Sequence, residues 1–314
     1  MVENVILGSY GFGNIGDRAI LEKVLESYSG ETSVTCYNRE WIDFDAVKRY
    51  YWDPRIVLDV ARSDRTIVGG EPVLDPRIDG SVNLLAYYIL FMLLLGRLTG
   101  SRVILHSIGF YGSNRLTRRL LNLVHPDEIT CRDQLSADNM ASAGLEPELG
   151  YDPVVERTEV ETAGEVEKVL VNARDVGNEL DIRSRKALEH LVEELQPDYE
   201  LEGFSTQPVH ENPGLSIESE VETDAHILGD TGLGIERQTS SLDEVRTELE
   251  DADFLIAYRL HTIIMGVNAG LPVLAVSYHP KVREYCERVG VEYLEHRELN
   301  GKKLVSKFRR MVSS

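Results

Sequence analysis

Cysteine is scarce: the 314 residues hold only Cys36, Cys131 and Cys286, far apart and never in CxxC spacing. That excludes a disulfide framework and a cysteine zinc site, and it suits a reducing, cytoplasmic setting. Lysine is scarce too, eight against 25 arginines, while 53 acidic residues bring the net charge to -20. So acidic a surface repels nucleic-acid backbones and anionic headgroups, and no nucleic-acid partner is expected. Acid excess, arginine bias and 7% aromatics together make a halophile-like composition, in which a charged site must work under strong screening. The chain opens without a basic segment and runs directly into a strand, so no signal peptide is expected. No apolar run reaches the ~20 residues of a membrane helix, so no integral membrane segment is expected. One run, VNLLAYYILFMLLLG at 82–96, comes near. It reads either as a buried helix on a sheet or as a helix touching a membrane or a lipid-linked substrate.

What the sequence does contain is alternation. Val2–Leu7, Val34–Tyr37 and Thr66–Val68 read as strands, and Asp17–Tyr28 as a helix whose Ile20, Leu21, Val24, Leu25 and Tyr28 share a face. After the apolar helix come a strand at Val103–Ser107, the basic helical stretch RLTRRLLNLV and a short strand at Glu128–Cys131. Such alternation implies a parallel sheet covered on both faces. The acidic stretch GYDPVVERTEVETAGEVEK reads as a linker. Beyond it, strands are expected at Lys168–Asn172, Glu200–Phe204, Phe254–Tyr258 and Pro272–Ser277. Helices are expected at Ser184–Leu195, after a Ser241/Glu244 capping box, at Thr262–Ala269, and from Pro280 to Gly290. The length suits two α/β domains, 1–157 and 158–314.

Ligands of open parallel sheets bind beyond the carboxyl ends of the strands, so the turns there are the places to look for chemistry. The first is YGFGNIGDRAIL, with Gly11, Gly13 and Gly16 in GxGxxG spacing. A dinucleotide fits it poorly. Asp17 occupies the helix start where a pyrophosphate would sit, the second strand ends in Tyr37-Asn38-Arg39 without an acid for a ribose, and the P-loop lysine is missing. Asp17 is then a base or hydroxyl binder, or simply a charge at a helix start. In CRDQLSADN, Arg132 follows a strand, able to hold a phosphate or carboxylate or to pair with Asp133. Arg174 has the matching place in VNARDVGN, and His210 follows a later strand in TQPVHEN. Densest is YRLHTIIMGVNAGLPVLAVSYHPK, where Arg259 and His261 leave one buried strand and Lys281 leaves the next. Two cations and an imidazole there form an anion site with a proton donor; a capping histidine and a solvated lysine are the structural alternatives. Asp251 and Asp253 make a DxD, but at the wrong end of the sheet, and no metal is expected.

YGFGNIGDRAIL, VGGEPVLD, ITCRD, YDPV and YRLHTIIMGVNAGLPVLAVSYHPKV, in this order and over most of the chain, resemble the polysaccharide pyruvyl transferase family. The resemblance implies a GT-B-like α/β fold, two Rossmann-type domains with parallel sheets facing across a cleft. It implies transfer of the pyruvate unit of phosphoenolpyruvate to sugar hydroxyls of a polysaccharide or glycan as a ketal, without a cofactor. Arg259, His261, Lys281 and Arg132 would bind phosphoenolpyruvate, on the C-terminal side. Gly13, Asn14, Gly16, Asp17 and Glu71 would face the saccharide acceptor. Two departures stand out: the family's usual third glycine is replaced in Gly69-Gly70-Glu71, and the segment around His210 keeps only part of the pattern.

The implied chemistry is coherent. A donor with a carboxylate and a phosphate needs converging cations, and ketal formation needs a proton for the methylene carbon and a base for the hydroxyl. Those roles fall to His261 and Asp17. Two other readings share the fold, a GT-B glycosyltransferase with a nucleotide-sugar donor and a non-catalytic carbohydrate-binding relative. A lipid-linked acceptor would bring the cytoplasmic protein to the inner membrane face; acceptor identity and oligomeric state stay open.

Overall fold

The computed structural model describes residues 2–11, 14–40, 42–70, 73–78, 81–174, 179–206, 224–234 and 241–313. Contacts divide the chain into two units, Met1–Phe12 with Asp17–Pro153, and Gly13–Gly16 with Val154–Ser314. The later break falls within the acidic stretch expected to be a linker. The earlier one falls in the glycine-rich turn.

The first unit begins with β1 (Asn4–Tyr10), α1 (Ile15–Ser27), β2 (Thr32–Cys36), β3 (Val47–Tyr50), α2 (Arg55–Arg62) and β4 (Arg65–Gly69). A small hairpin, β5 (Arg77–Ile78) and β6 (Ser81–Val82), leads into α3 (Leu84–Thr99). Then follow β7 (Arg102–Ile108), α4 (Arg115–Val124), β8 (Glu128–Cys131), α5 (Gln134–Ser142) and β9 (Glu148–Leu149). Seven strands pair in the order β3-β2-β1-β4-β7-β8-β9, all parallel. Val5, Ile6 and Leu7 are all buried, as a central strand covered on both faces requires. One core joins Ile56 and Val60 of α2, Leu90 and Leu93 of α3, and Leu121 of α4. The chain steps one way across the sheet through α1 and the other way through α3 and α4, so right-handed crossovers set α1 on the opposite face. The strand expected third, Thr66–Val68, is thus fourth. Polar β3 (VKRY) and short α2 carry no apolar run long enough to announce them.

In the second unit come β10 (Lys168–Val171), α6 (Glu179–Leu195), β11 (Glu200–Gly203), α7 (Asp224–Asp230), α8 (Leu242–Glu250) and β12 (Phe254–Ala257). They are followed by α9 (Leu260–Asn268), β13 (Val273–Ser277), α10 (Pro280–Val289), β14 (Glu292–Glu295) and α11 (Gly301–Val312). Five parallel strands lie in the order β11-β10-β12-β13-β14. FLIA and VLAVS are buried at every residue, the mark of central strands. The Ser241/Glu244 box closes reciprocally, both bonds at 3.2 Å, and Gly290 ends α10 at φ +85°. Asp253 of the DxD accepts the backbone N–H groups of Glu167 (3.0 Å) and Lys168 (2.9 Å), fastening the start of β10. Its partner Asp251 ends α8.

Candidate functional site

Neighbouring strands β10, β12 and β13 send their carboxyl ends to one edge of the second sheet, and the loops beyond them carry the charge. Arg174 follows β10, Arg259 precedes α9, and Lys281 lies in the first turn of α10; all three are half-buried. Asn172, wholly buried, sets this edge: its amide donates to the Phe204 carbonyl (3.0 Å) and its Oδ1 accepts the Arg259 N–H (3.2 Å). A single side chain therefore holds the exits of β11 and β12 to that of β10. Arg174 donates to the Tyr278 hydroxyl, its guanidinium 4.9 Å from the ring centroid. His279 caps α10 by accepting the Lys281 N–H at 3.3 Å, which orients that first turn.

His261 opens α9, where the aligned peptide dipoles favour an anion. Its imidazole fills the place a Cβ on Gly16 would take, so residue 16 has no room for a side chain. Around that contact, Ile15 N–H donates to the Thr206 carbonyl (3.2 Å), and the Thr206 and Thr262 hydroxyls share a 2.9 Å hydrogen bond. Asn14 Oδ1 accepts the Gly16 N–H at 3.0 Å and so begins α1. Beside this edge, a cavity of about 370 Å³ opens between the ends of β13 and β14, with Tyr278, His279, Arg283, Glu295 and Arg297 in its wall. His296, also in the wall, is buried; burial pushes its pKa down, and its Nε2 meets the Ser184 hydroxyl at 2.7 Å. Burial thus favours its neutral form.

In the first unit Arg132, following β8, is buried and draws strand ends together. Nη1 donates to the Gly70 carbonyl (2.7 Å) and to Asp152 (3.0 Å), while Nε and Nη2 donate to the Tyr111 hydroxyl (3.3 and 3.1 Å). Those acceptors lie beyond β4, β9 and β7. Burial works against its charge, but the facing Tyr111 and Asp152 raise its pKa. Its side chain is 3% exposed, so the guanidinium ties the fold before it can greet a ligand. The Tyr111 hydroxyl in turn donates a hydrogen bond to Asp133 (2.6 Å), which also caps α5. Asp75 accepts the N–H groups of Tyr111 (3.0 Å) and Gly112 (3.2 Å), and burial pushes its carboxyl up to about 6. Gly69 and Gly70 are glycines for packing: a Cβ on Gly69 would stand 2.6 Å from Val24, and Gly70 (φ +68°) is closed by Ile20.

Asp17 is half-buried in the first turn of α1, within the first unit. Gly13, Glu71 and His210 lie outside the described residues. Sequence reasoning passed over Asn172, Tyr278, Tyr111, Asp75 and Asp152. Four of them had a signal, since VLD, YDPV, VNARD and SYHPK stand in the stretches already singled out. Among the described residues no group of three or more His, Cys, Asp or Glu is placed to hold a metal.

Solved structures with the same arrangement of elements include the UDP-GlcNAc 2-epimerase of Methanocaldococcus jannaschii, 11% identical, with a TM-score of 0.59 over 100% of this chain and 93% of that one. The Neisseria meningitidis UDP-GlcNAc 2-epimerase bound to UDP-GlcNAc is 12% identical, with a TM-score of 0.58 over 100% and 92%. A Rickettsia africae glycosyltransferase is 11% identical, with a TM-score of 0.58 over 99% and 88%. At such identity the likeness establishes the GT-B-like α/β fold and nothing finer. None of the curated proteins matches. The polysaccharide pyruvyl transferase profile, however, matches residues 14–280, spanning the turn that meets His261, the Arg132 tie and the Arg259–His261 helix start: the chain belongs to the polysaccharide pyruvyl transferase family.

Proposed function

We propose that this chain transfers the pyruvate unit of phosphoenolpyruvate to two hydroxyls of a saccharide, forming a ketal and releasing phosphate. One observation carries the reading: an imidazole seated on a glycine at a helix start, with Arg259 two residues before it and Lys281 and Arg174 on neighbouring strand ends. The carboxylate and phosphate of phosphoenolpyruvate are matched by Arg259 and Lys281, with Arg174 a third cation at the same edge. His261, as imidazolium, gives its proton to the methylene carbon, leaving oxocarbenium character on the adjacent carbon. A sugar hydroxyl adds to that carbon, and Asp17 takes its proton. A second hydroxyl then displaces phosphate and closes the ring, its proton leaving with the phosphate. Asn14 and Gly16 belong to the acceptor side of this reading together with Gly13 and Glu71. Arg132 enters it by holding Gly70 and Tyr111 in place rather than as a direct ligand.

The test is direct. Purified protein with phosphoenolpyruvate and a panel of saccharides should release phosphate and add the mass of a pyruvate ketal to one of them. Consumption of a nucleotide-sugar instead, or phosphoenolpyruvate binding with no product from any saccharide, would overturn the proposal in favour of a glycosyltransferase or a sensor.

A further inference from the structure

We propose that the outer face of α3 and α4 seats this chain on an anionic lipid bilayer. Along α3, Leu84, Phe91 and Leu98 recur every seven residues on the side turned away from the sheet, with Tyr87, Leu94 and Leu95 half-buried beside them. On α4, Leu116 and Leu123 repeat the spacing. These five side chains are between 53% and 77% exposed. Single exposed leucines are ordinary, whereas five on two packed helices make a patch that calls for a partner. The helices are joined at one end, where the Asn114 amide that precedes α4 donates to the Tyr87 hydroxyl at 2.8 Å.

Charge names the partner. The chain has 53 acidic residues, yet neither α3 nor α4 contains one. In their place α4 presents Arg115, Arg118 and Arg119, all exposed, and among the described residues none of them forms an ion pair. The acids that follow α4, Asp127 and Glu128, are engaged by Arg97 (2.9 Å) and Arg102. An apolar stripe bordered by arginines lies in the headgroup layer of an anionic bilayer. The net charge of -20 does not prevent this, because charges more than about 8–10 Å from the surface are screened at ordinary ionic strength. Each arginine at the surface strengthens binding about fivefold. Among the described residues no helix is long and apolar enough to cross a membrane, so α3 lies along the bilayer. The inference does not depend on the donor substrate.

Flotation of the full chain with phosphatidylglycerol/phosphatidylcholine vesicles, against phosphatidylcholine alone, tests it. The wild type should favour the anionic vesicles. Arg115→Ser/Arg119→Ser and Phe91→Ser/Leu98→Ser should each weaken binding roughly tenfold or more, with circular dichroism unchanged. Three results would overturn the proposal: no flotation with the anionic vesicles, equal flotation of the variants, or a wild-type dimer that Phe91→Ser/Leu98→Ser converts to monomer, which would make a second copy the occupant.

Discussion

The imidazole of His261 stands where any side chain at residue 16 would have to be. Gly16 has no positive φ, so its glycine answers a need for space rather than for backbone freedom. The third glycine of the GxGxxG spacing, which in a dinucleotide fold brings helix and strand close, here admits a histidine.

Gly16→Ala is therefore expected to displace the imidazole and lower kcat by roughly tenfold or more, although alanine suits a helix better by about 1 kcal/mol. In a His261→Ala background the same change should cost little. Rates of phosphate release from the four proteins form the cycle, and additive losses would show that Gly16 acts on something other than His261.

For His261→Ala itself, the expectation is a fall in kcat of about 10²–10⁴-fold, with phosphoenolpyruvate binding by calorimetry largely kept through Arg259 and Lys281. Wild-type-like turnover would remove His261 from the chemistry.

Arg132→Met removes the guanidinium that buried Asp152 and the Gly70 carbonyl accept from. A loss of about 3–5 kcal/mol in urea unfolding is expected. Arg132→Lys should recover only part of it, since one ammonium cannot span Gly70, Asp152 and Tyr111 as the planar guanidinium does. Unchanged stability with weakened phosphoenolpyruvate binding would make Arg132 a ligand instead of a tie.

Asp75 gives a pH signature. Burial pushes its carboxyl from 3.8 up to about 6, so between about pH 4 and pH 6 the folded state keeps a proton that the unfolded state has released. Its contribution to stability is fully present below about pH 4 and is lost as pH rises through about 6, by at most about 3 kcal/mol. Asp75→Asn keeps an acceptor for Tyr111 and Gly112 and removes the titration. Denaturation across this range should show the variant gaining on the wild type as pH rises; parallel profiles would rule the shift out.

The ease of reading differed from element to element. Glu128–Cys131, Arg115–Val124 and the helix from Pro280 to Gly290 were legible because caps and apolar periodicity are local. β14 and α11 escaped. EYLE has a polar edge-strand pattern whose pairing comes from β13, and α11 is secured by distant rings, Phe308 meeting Phe254 (4.8 Å) and Tyr199 (5.2 Å). At the site, Arg259, His261 and Lys281 could be put at strand ends from sequence, whereas the cross-strand bonds of Asn172 could not.

By itself, then, the sequence determined the alternation of strands and helices, several capped helix starts and which residues leave the carboxyl ends of the main strands, because each depends on neighbours within a few turns of chain. Only the tertiary structure decided that Gly16 meets His261, that Arg132 is a buried tie, that Asp75 is desolvated, and that one side of the strongly apolar helix α3 faces outward. Those outcomes depend on where parallel crossovers bring distant segments, and on how much water the packing leaves them.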